Sequence, residues 1–146
     1  GSMNGTSAIH VVGVGHDGNL YRYTLTATGM ASASKIGTGW GGMAFLTSVG
    51  SFNTGDKTAD IIGVGTNGNL YVYYTANGGI IQAAKVGQGW TGWTAMFSPG
   101  DLSGDGRPDL MGRKSNGDLY SYTNLQGAWG AARKAGTGWG GFKLFA

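Results

Sequence analysis

Residues 17–25 read Asp-Gly-Asn-Leu-Tyr-Arg-Tyr-Thr-Leu, a turn dipeptide followed by a segment in which apolar and polar side chains alternate. Asp-Gly tolerates the positive φ angles that two-residue hairpin turns require. The alternation after it is typical of a β-strand with one buried face. The stretch therefore predicts a hairpin whose second strand begins at Leu20.

The same stretch occurs three times. The tetrad Gly-Asn/Asp-Leu-Tyr starts at Gly18, Gly68 and Gly117, which gives a period of 49 to 50 residues. A second landmark, Gly-x-Gly-Trp, keeps this period and ends at three tryptophans: Trp40, Trp90 and Trp139. A period of this length with strand-like patterning is typical of the blades of a β-propeller.

Each repeat divides into four short strands separated by glycine turns. In the first repeat the strands are predicted at residues 10–14, 20–25, 31–36 and 43–49, and the last repeat ends with a short fourth strand at residues 142–146. No segment has a helical period, so we expect almost no helix. The predicted fold is all-β, with four-stranded antiparallel blades.

The predicted blades occupy residues 8–52, 59–100 and 108–146, after a cloning scar at residues 1–3. Propellers usually close with four to eight blades. A three-bladed wedge would leave two apolar faces in water, which favours association. The chain is then either a fragment of a longer array or half of a ring. We expect a homodimer with six blades, because a two-fold axis along the channel relates two equal junctions.

Composition excludes several classes of function. The chain has no cysteine, so disulfides and thiolate metal sites are excluded. Its ten Lys and Arg residues are scattered singly, so we expect no nucleic-acid partner. No apolar run is long enough to cross a bilayer, and we expect no membrane partner. His10 and His16 have no equivalents in the other repeats and no nucleophile motif is present, so we expect no enzyme.

The most specific local motif is Asp-Leu-Ser-Gly-Asp-Gly-Arg-Pro-Asp at residues 101–109. Oxygen ligands at alternate positions of a short glycine-containing loop are typical of calcium sites. The predicted calcium ligands are the side chains of three aspartates and one serine, with one backbone carbonyl: Asp101, Ser103, Asp105, Asp109 and the carbonyl of Arg107. The alternative is a metal-free cluster of Asx turns that organises a connection between blades.

This motif, with Ser115-Asn116-Gly117-Asp118-Leu119-Tyr120 after it, resembles the FG-GAP/VCBS-like repeats of secreted bacterial proteins, which are similar to integrin α-chain blades. The Gly-Trp-Gly-Gly-Phe-Lys-Leu-Phe ending at residues 138–145 is similar to tachylectin-type propeller lectins. The resemblance implies a propeller, a secreted or cell-surface location and calcium loops. The likeness to lectins implies sugar pockets between adjacent blades.

Five tryptophans are the candidate carbohydrate-binding residues: Trp40, Trp90, Trp139, Trp93 and Trp129. An indole ring stacks on the apolar C–H face of a pyranose. The alternative is that the repeated tryptophans wedge between blades as core. The paired tyrosines of the second strand, such as Tyr71 and Tyr73, are interpreted as core.

The sequence thus favours a non-catalytic, lectin-like propeller module that recognises glycans or cell-wall polysaccharide. Several weak sites on one scaffold would supply avidity. The alternative is a structural or protein-interaction propeller, a fragment or an engineered assembly of blades, without a sugar ligand.

Overall fold

The structure, a computed structural model, describes residues 1–53 and 56–143 and consists of three antiparallel sheets, which are three propeller blades. The first sheet contains β1 (His10–Val14), β2 (Leu20–Thr26), β3 (Gly29–Met30) and β4 (Ser34–Gly37). β1 pairs with one edge of β2, and both β3 and β4 pair with the other edge of β2. This first blade is therefore only three strands wide.

The other two blades are four strands wide. The second is ordered β5 (Met43–Ser48), β6 (Ile61–Gly65), β7 (Leu70–Ala76) and β8 (Gly79–Gly87). The third is ordered β9 (Trp93–Gly100), β10 (Asp109–Lys114), β11 (Leu119–Tyr122) and β12 (Arg133–Gly136). The prediction of an all-β fold with four-stranded antiparallel blades is confirmed.

The blades are offset from the sequence repeats. The strand that begins at Met43 was assigned to the end of the first repeat, but it pairs with β6 of the second repeat. In the same way, β9 pairs with β10 of the third repeat. The blades in the structure therefore do not have the bounds 8–52, 59–100 and 108–146, because each repeat supplies the first strand of the blade that follows it.

The predicted glycine turns form as expected. Gly18, Gly68 and Gly117 have φ angles of 73°, 76° and 84°, in the left-handed region that favours glycine. Among residues 1–53 and 56–143 the only helical segments are the 3₁₀ turns Trp40–Gly42 and Trp139–Gly141. The expectation of almost no helix is therefore confirmed. None of the described segments is a helix of the length and hydropathy needed to cross a bilayer. The last predicted strand reaches residues 144–146, which lie outside the described residues.

The core lies between neighbouring blades. Between the first and second blades, Leu20, Trp40 and Ile61 are buried together. Between the second and third, a larger cluster forms: Val49, Phe52, Ile62, Val64, Leu70, Val72, Trp90, Trp93 and Leu110. Met3 is also buried in the first cluster, although residues 1–3 were predicted to be a cloning scar without a part in the fold.

A buried aspartate fastens each complete blade to the connection before it. The carboxylate of Asp60 is 1 % exposed and accepts hydrogen bonds from the backbone N–H groups of Phe52, at 2.9 Å, and Thr75, at 3.0 Å. Asp109 accepts from the N–H groups of Ser103, at 2.7 Å, and Asn124, at 3.0 Å. Asp60 therefore joins the connection between β5 and β6 to β7, and Asp109 joins the connection between β9 and β10 to the segment that follows β11.

We predict that Asp60→Ala lowers the free energy of unfolding by about 2–6 kcal/mol, because two buried N–H groups lose their acceptor at roughly 1–3 kcal/mol each. Urea unfolding followed by fluorescence measures this change. Asp56→Ala is the matched control, since Asp56 is exposed and accepts one hydrogen bond, from the Thr58 N–H. We expect it to cost less than about 1 kcal/mol. Equal losses in the two variants would contradict the role given to Asp60.

Candidate functional site

A pocket of about 390 Å³ lies between the first and second blades, beside the first Gly-x-Gly-Trp loop. It combines loop glycines, which expose backbone, with aromatic and polar side chains. Its lining residues are Gly39, Gly42, Met43, Gly65, Thr66, Asn67, Tyr71 and Tyr73. This mixture of apolar surface and a few polar groups is typical of small-molecule sites.

Two tyrosines of β7 form the aromatic wall. Tyr71 and Tyr73 are two positions apart, so their side chains leave the same face of the strand. The ring of Tyr73 packs against Trp40 with 4.3 Å between centroids, which fixes its position. Burial raises the pKa of Tyr73 above its usual value. Its hydroxyl therefore stays protonated and able to donate at neutral pH.

The hairpin turn between β6 and β7 supplies the polar groups. The N–H of Thr66 donates to the carbonyl of Gly42 at 2.8 Å, which joins the turn to the loop of the preceding blade. The Oδ1 of Asn67 accepts from the N–H of Asn69 at 3.0 Å, an Asx turn that orients the amide. The turn thus presents a hydroxyl and an amide at the mouth of the pocket.

The corresponding place between the second and third blades holds a larger side chain. Trp93 stands where the first interface has Met43, and it is 7 % exposed. Its ring stacks on Trp90 with 5.5 Å between centroids, and the ammonium group of Lys114 lies 4.7 Å from its centroid. At this position the second interface therefore has a larger side chain than the first.

The predicted sugar-binding tryptophans divide into two groups. Trp40, Trp90 and Trp93 are 5 %, 8 % and 7 % exposed and pack between blades. This is the alternative that the sequence left open. Trp129 and Trp139 are half-buried, against Phe52 and Phe142 respectively. The pocket is instead lined by the tyrosines that were interpreted as core.

The predicted calcium loop is organised by its own backbone. The Oδ1 of Asp101 accepts from the N–H groups of Gly104, at 2.7 Å, and Asp105, at 3.0 Å, while its Oδ2 accepts from Gly106 at 2.8 Å. These N–H groups, that of Gly106 first, hold the pKa of Asp101 below its usual value. The carboxylate thus serves as the centre of a tight turn.

The Oγ of Ser103 lies 3.5 Å from the Oδ1 of Asp101, but the carboxylates of Asp105 and Asp109 have other partners. Asp105 forms an ion pair with the guanidinium of Arg107 at 2.7 Å, and Asp109 points inward to its two backbone donors. Within the described residues no group of three or more histidine or aspartate side chains is placed to hold one ion. These hydrogen bonds are those expected of the Asx-turn alternative. Calcium binding by Asp101, Ser103, Asp105, Arg107 and Asp109 stays a prediction.

If the loop is organised by Asp101 alone, calcium has no site to stabilise. We expect the midpoint of thermal unfolding in 5 mM calcium chloride to equal that in 5 mM EDTA within about 1 °C, because a ligand that does not bind the native state leaves its stability unchanged. Differential scanning fluorimetry measures this. A calcium-dependent rise that Asp101→Asn abolishes would instead establish the metal site.

Comparison with known proteins agrees with the blade architecture. Residues 54–112 match the family model of the FG-GAP-like repeat. The chain contains an FG-GAP-like repeat. The FG-GAP-like segment includes Asp60, the hairpin with Thr66 and Asn67, and the loop at residues 101–109. No curated protein matches the chain. The match and the three sheets together show a propeller module.

Proposed function

We propose that the chain is a non-catalytic carbohydrate-binding module, and that a sugar occupies the pocket between the first and second blades. The observation that carries this proposal is the pairing of Tyr71 and Tyr73 with the polar turn at Thr66 and Asn67. A tyrosine ring offers an apolar face to pyranose C–H groups, and its hydroxyl offers a hydrogen bond. The amide and hydroxyl of the turn would fix the pattern of sugar hydroxyls.

The lining of the pocket supports binding without catalysis. None of its lining residues is acidic or a histidine. Glycoside hydrolysis normally needs two placed carboxylates, one of which acts as a general acid. The same lining suits a neutral ligand, since it carries no charged side chain. The proposal therefore names a neutral glycan or cell-wall polysaccharide, met outside the cell.

The second candidate is a structural or protein-interaction propeller. The specific observation in its favour is exposed apolar surface on the first blade, where Leu25 is 46 % and Met30 is 62 % exposed. Such surface is typical of protein contacts. The two candidates separate on a glycan array, because only the first predicts a sugar ligand.

The repeat offers a matched pair of variants for the test. Asn67 and Asn116 hold equivalent hairpin turns, each accepting at 3.0 Å from the N–H two residues on. Only Asn67 lines the pocket. We predict that Asn67→Ala weakens binding of the best array ligand at least about tenfold, the effect of losing roughly 1.4 kcal/mol. Asn116→Ala should bind as the unaltered chain does.

Isothermal titration with the glycan chosen from the array measures the affinity of both variants, and thermal unfolding measures the stability that each of them loses. An array without any bound glycan would refute the proposed function. Equal affinity in the two variants would place the sugar elsewhere on the chain.

A further inference from the structure

A second pocket, of about 210 Å³, lies between the second and third blades. Its aromatic lining residues are Phe45, Trp90 and Trp93, and its polar side chains are those of Thr66 and Thr91. The pocket lined by Tyr71 and Tyr73, called the first pocket from here on, lies on the other face of the second blade. The second blade therefore has a pocket on each of its faces.

The two pockets meet at one end of the second blade. Both are lined by Gly65 and Thr66, and Thr66 is exposed. The strand that pairs with this end also borders both pockets, since Met43 lines the first pocket while Ala44 and Phe45 line the second. A ligand that fills one pocket therefore reaches the other by passing Thr66.

The second pocket has the same kind of lining as the first. The rings of Trp90 and Trp93 stack with 5.5 Å between centroids and provide apolar surface beside Phe45. The hydroxyl groups of Thr66 and Thr91 can each donate and accept a hydrogen bond. None of the side chains that line this pocket is charged. Apolar surface with a few neutral polar groups suits a ligand that combines C–H faces with hydroxyls, as a sugar does.

The second pocket is not the repeat equivalent of the first. An equivalent of the first pocket would be lined by Asn116 and Tyr120, and neither of these lines the second pocket. Thr91 is also specific to the second repeat, because the other two repeats have Gly41 and Gly140 at this position. A hydroxyl is therefore present at this interface that the repeat pattern alone does not supply.

The loop that carries Thr91 is held against the hairpin turn that carries Thr66. The N–H of Trp90 donates to the carbonyl of Gly68 at 2.9 Å. The methyl group of Thr91 lies over the same glycine, since a Cβ at Gly68 would lie 2.7 Å from the Cγ2 of Thr91. The two threonines are thereby positioned relative to each other before any ligand binds.

We propose that the two pockets hold neighbouring units of one linear, neutral glycan chain, which crosses the end of the second blade over Thr66. The proposal rests on the proposed function, because it places one sugar unit in the first pocket. It adds the class of ligand, which is a chain of at least two units and not a single terminal sugar. Two contacts on one chain reinforce each other, so affinity rises with chain length.

Titration of the unaltered chain with glycans of increasing length gives the first test. The probes are β-1,4-linked oligomers of glucose and of N-acetylglucosamine, each from one to six units long, because both series are linear and neutral. In at least one series we expect the trimer to bind at least about tenfold more tightly than the monomer, which fills the first pocket alone. Isothermal titration measures the trimer, and NMR chemical-shift titration measures the weaker monomer.

The outcomes separate this proposal from the proposed function. A monomer that binds as tightly as its trimer would overturn the proposal and leave the first pocket as a sugar site. Binding of another glycan on the array, with no binding of either series, would do the same. If no glycan binds on the array or in either series, the proposed function fails and this proposal fails with it.

A variant of the second pocket tests the crossing itself. Thr91→Val removes the hydroxyl and keeps the methyl group over Gly68. We expect it to weaken trimer binding about threefold or more and to leave monomer binding unchanged, whereas Asn67→Ala weakens both. Thr137→Val is the matched control, since Thr137 is exposed in the equivalent loop of the third repeat and lines neither pocket. It should bind trimer and monomer as the unaltered chain does.

Thermal unfolding of each variant shows whether it is folded. Thr91→Gly, which introduces the residue of the other two repeats, is a second variant with the same expected loss of trimer binding, in case valine disturbs the loop. If folded Thr91→Val and Thr91→Gly both bind the trimer as tightly as the unaltered chain, the glycan does not reach the second pocket and the proposal is refuted.

Discussion

The structure depends on a carboxylate buried at the end of the connection between the first and second strands of a blade. A propeller blade is built from strands that are neighbours in space, but its first and second strands are joined by a long connection, from Ser48 to Ile61 in the second blade. The two oxygens of Asp60 each accept a backbone N–H, one from that connection and one from β7. Burial raises the pKa of Asp60 and the two N–H donors oppose that rise, whereas a neutral apolar side chain would leave both donors unpaired.

The same arrangement connects successive blades and positions the candidate site. Asp109 repeats it, and Asn124, which donates its N–H to Asp109, also donates its Nδ2 to the carbonyl of Phe52 at 3.0 Å. The two connections are thereby linked across the blade interface. Because Asp60 fixes β6 against β7, it also fixes the hairpin between them, which carries the polar turn and the tyrosines of the pocket. In the first blade His10 replaces the aspartate, and its Nδ1 accepts from the N–H of Met3 at 3.0 Å.

Much of the fold could be predicted from the sequence, because turns and alternation are local properties. The Asp-Gly and Asn-Gly turns, the strands that follow them and the absence of α-helix all follow from single segments. The pairing of β5 with β6 does not follow from a single segment, because the period of a repeated sequence is the same wherever one blade is taken to end and the next to begin.

The site was harder to predict than the fold, because the burial of each side chain decides whether it can contact a ligand. Trp40 and Trp90 occupy equivalent positions in their repeats and are buried as core, whereas the pocket lies beside Met43, where the next repeat has Trp93. Likewise, the same spacing of oxygens at residues 101–109 serves either a metal or an Asx turn, and only side-chain direction separates the two.

Amide hydrogen exchange at Phe52 and Thr75, measured residue by residue by NMR, tests the central role of the buried carboxylate most directly. Phe52 lies in a connection outside any strand, so it would exchange quickly if only the sheets held the blade. With Asp60 as the link, both amides should exchange as slowly as the amides of β6 and β7, and both should become fast together in Asp60→Ala. Fast exchange at Phe52 in the unaltered chain, with slow exchange at Thr75, would show that the carboxylate does not join the connection to the sheet.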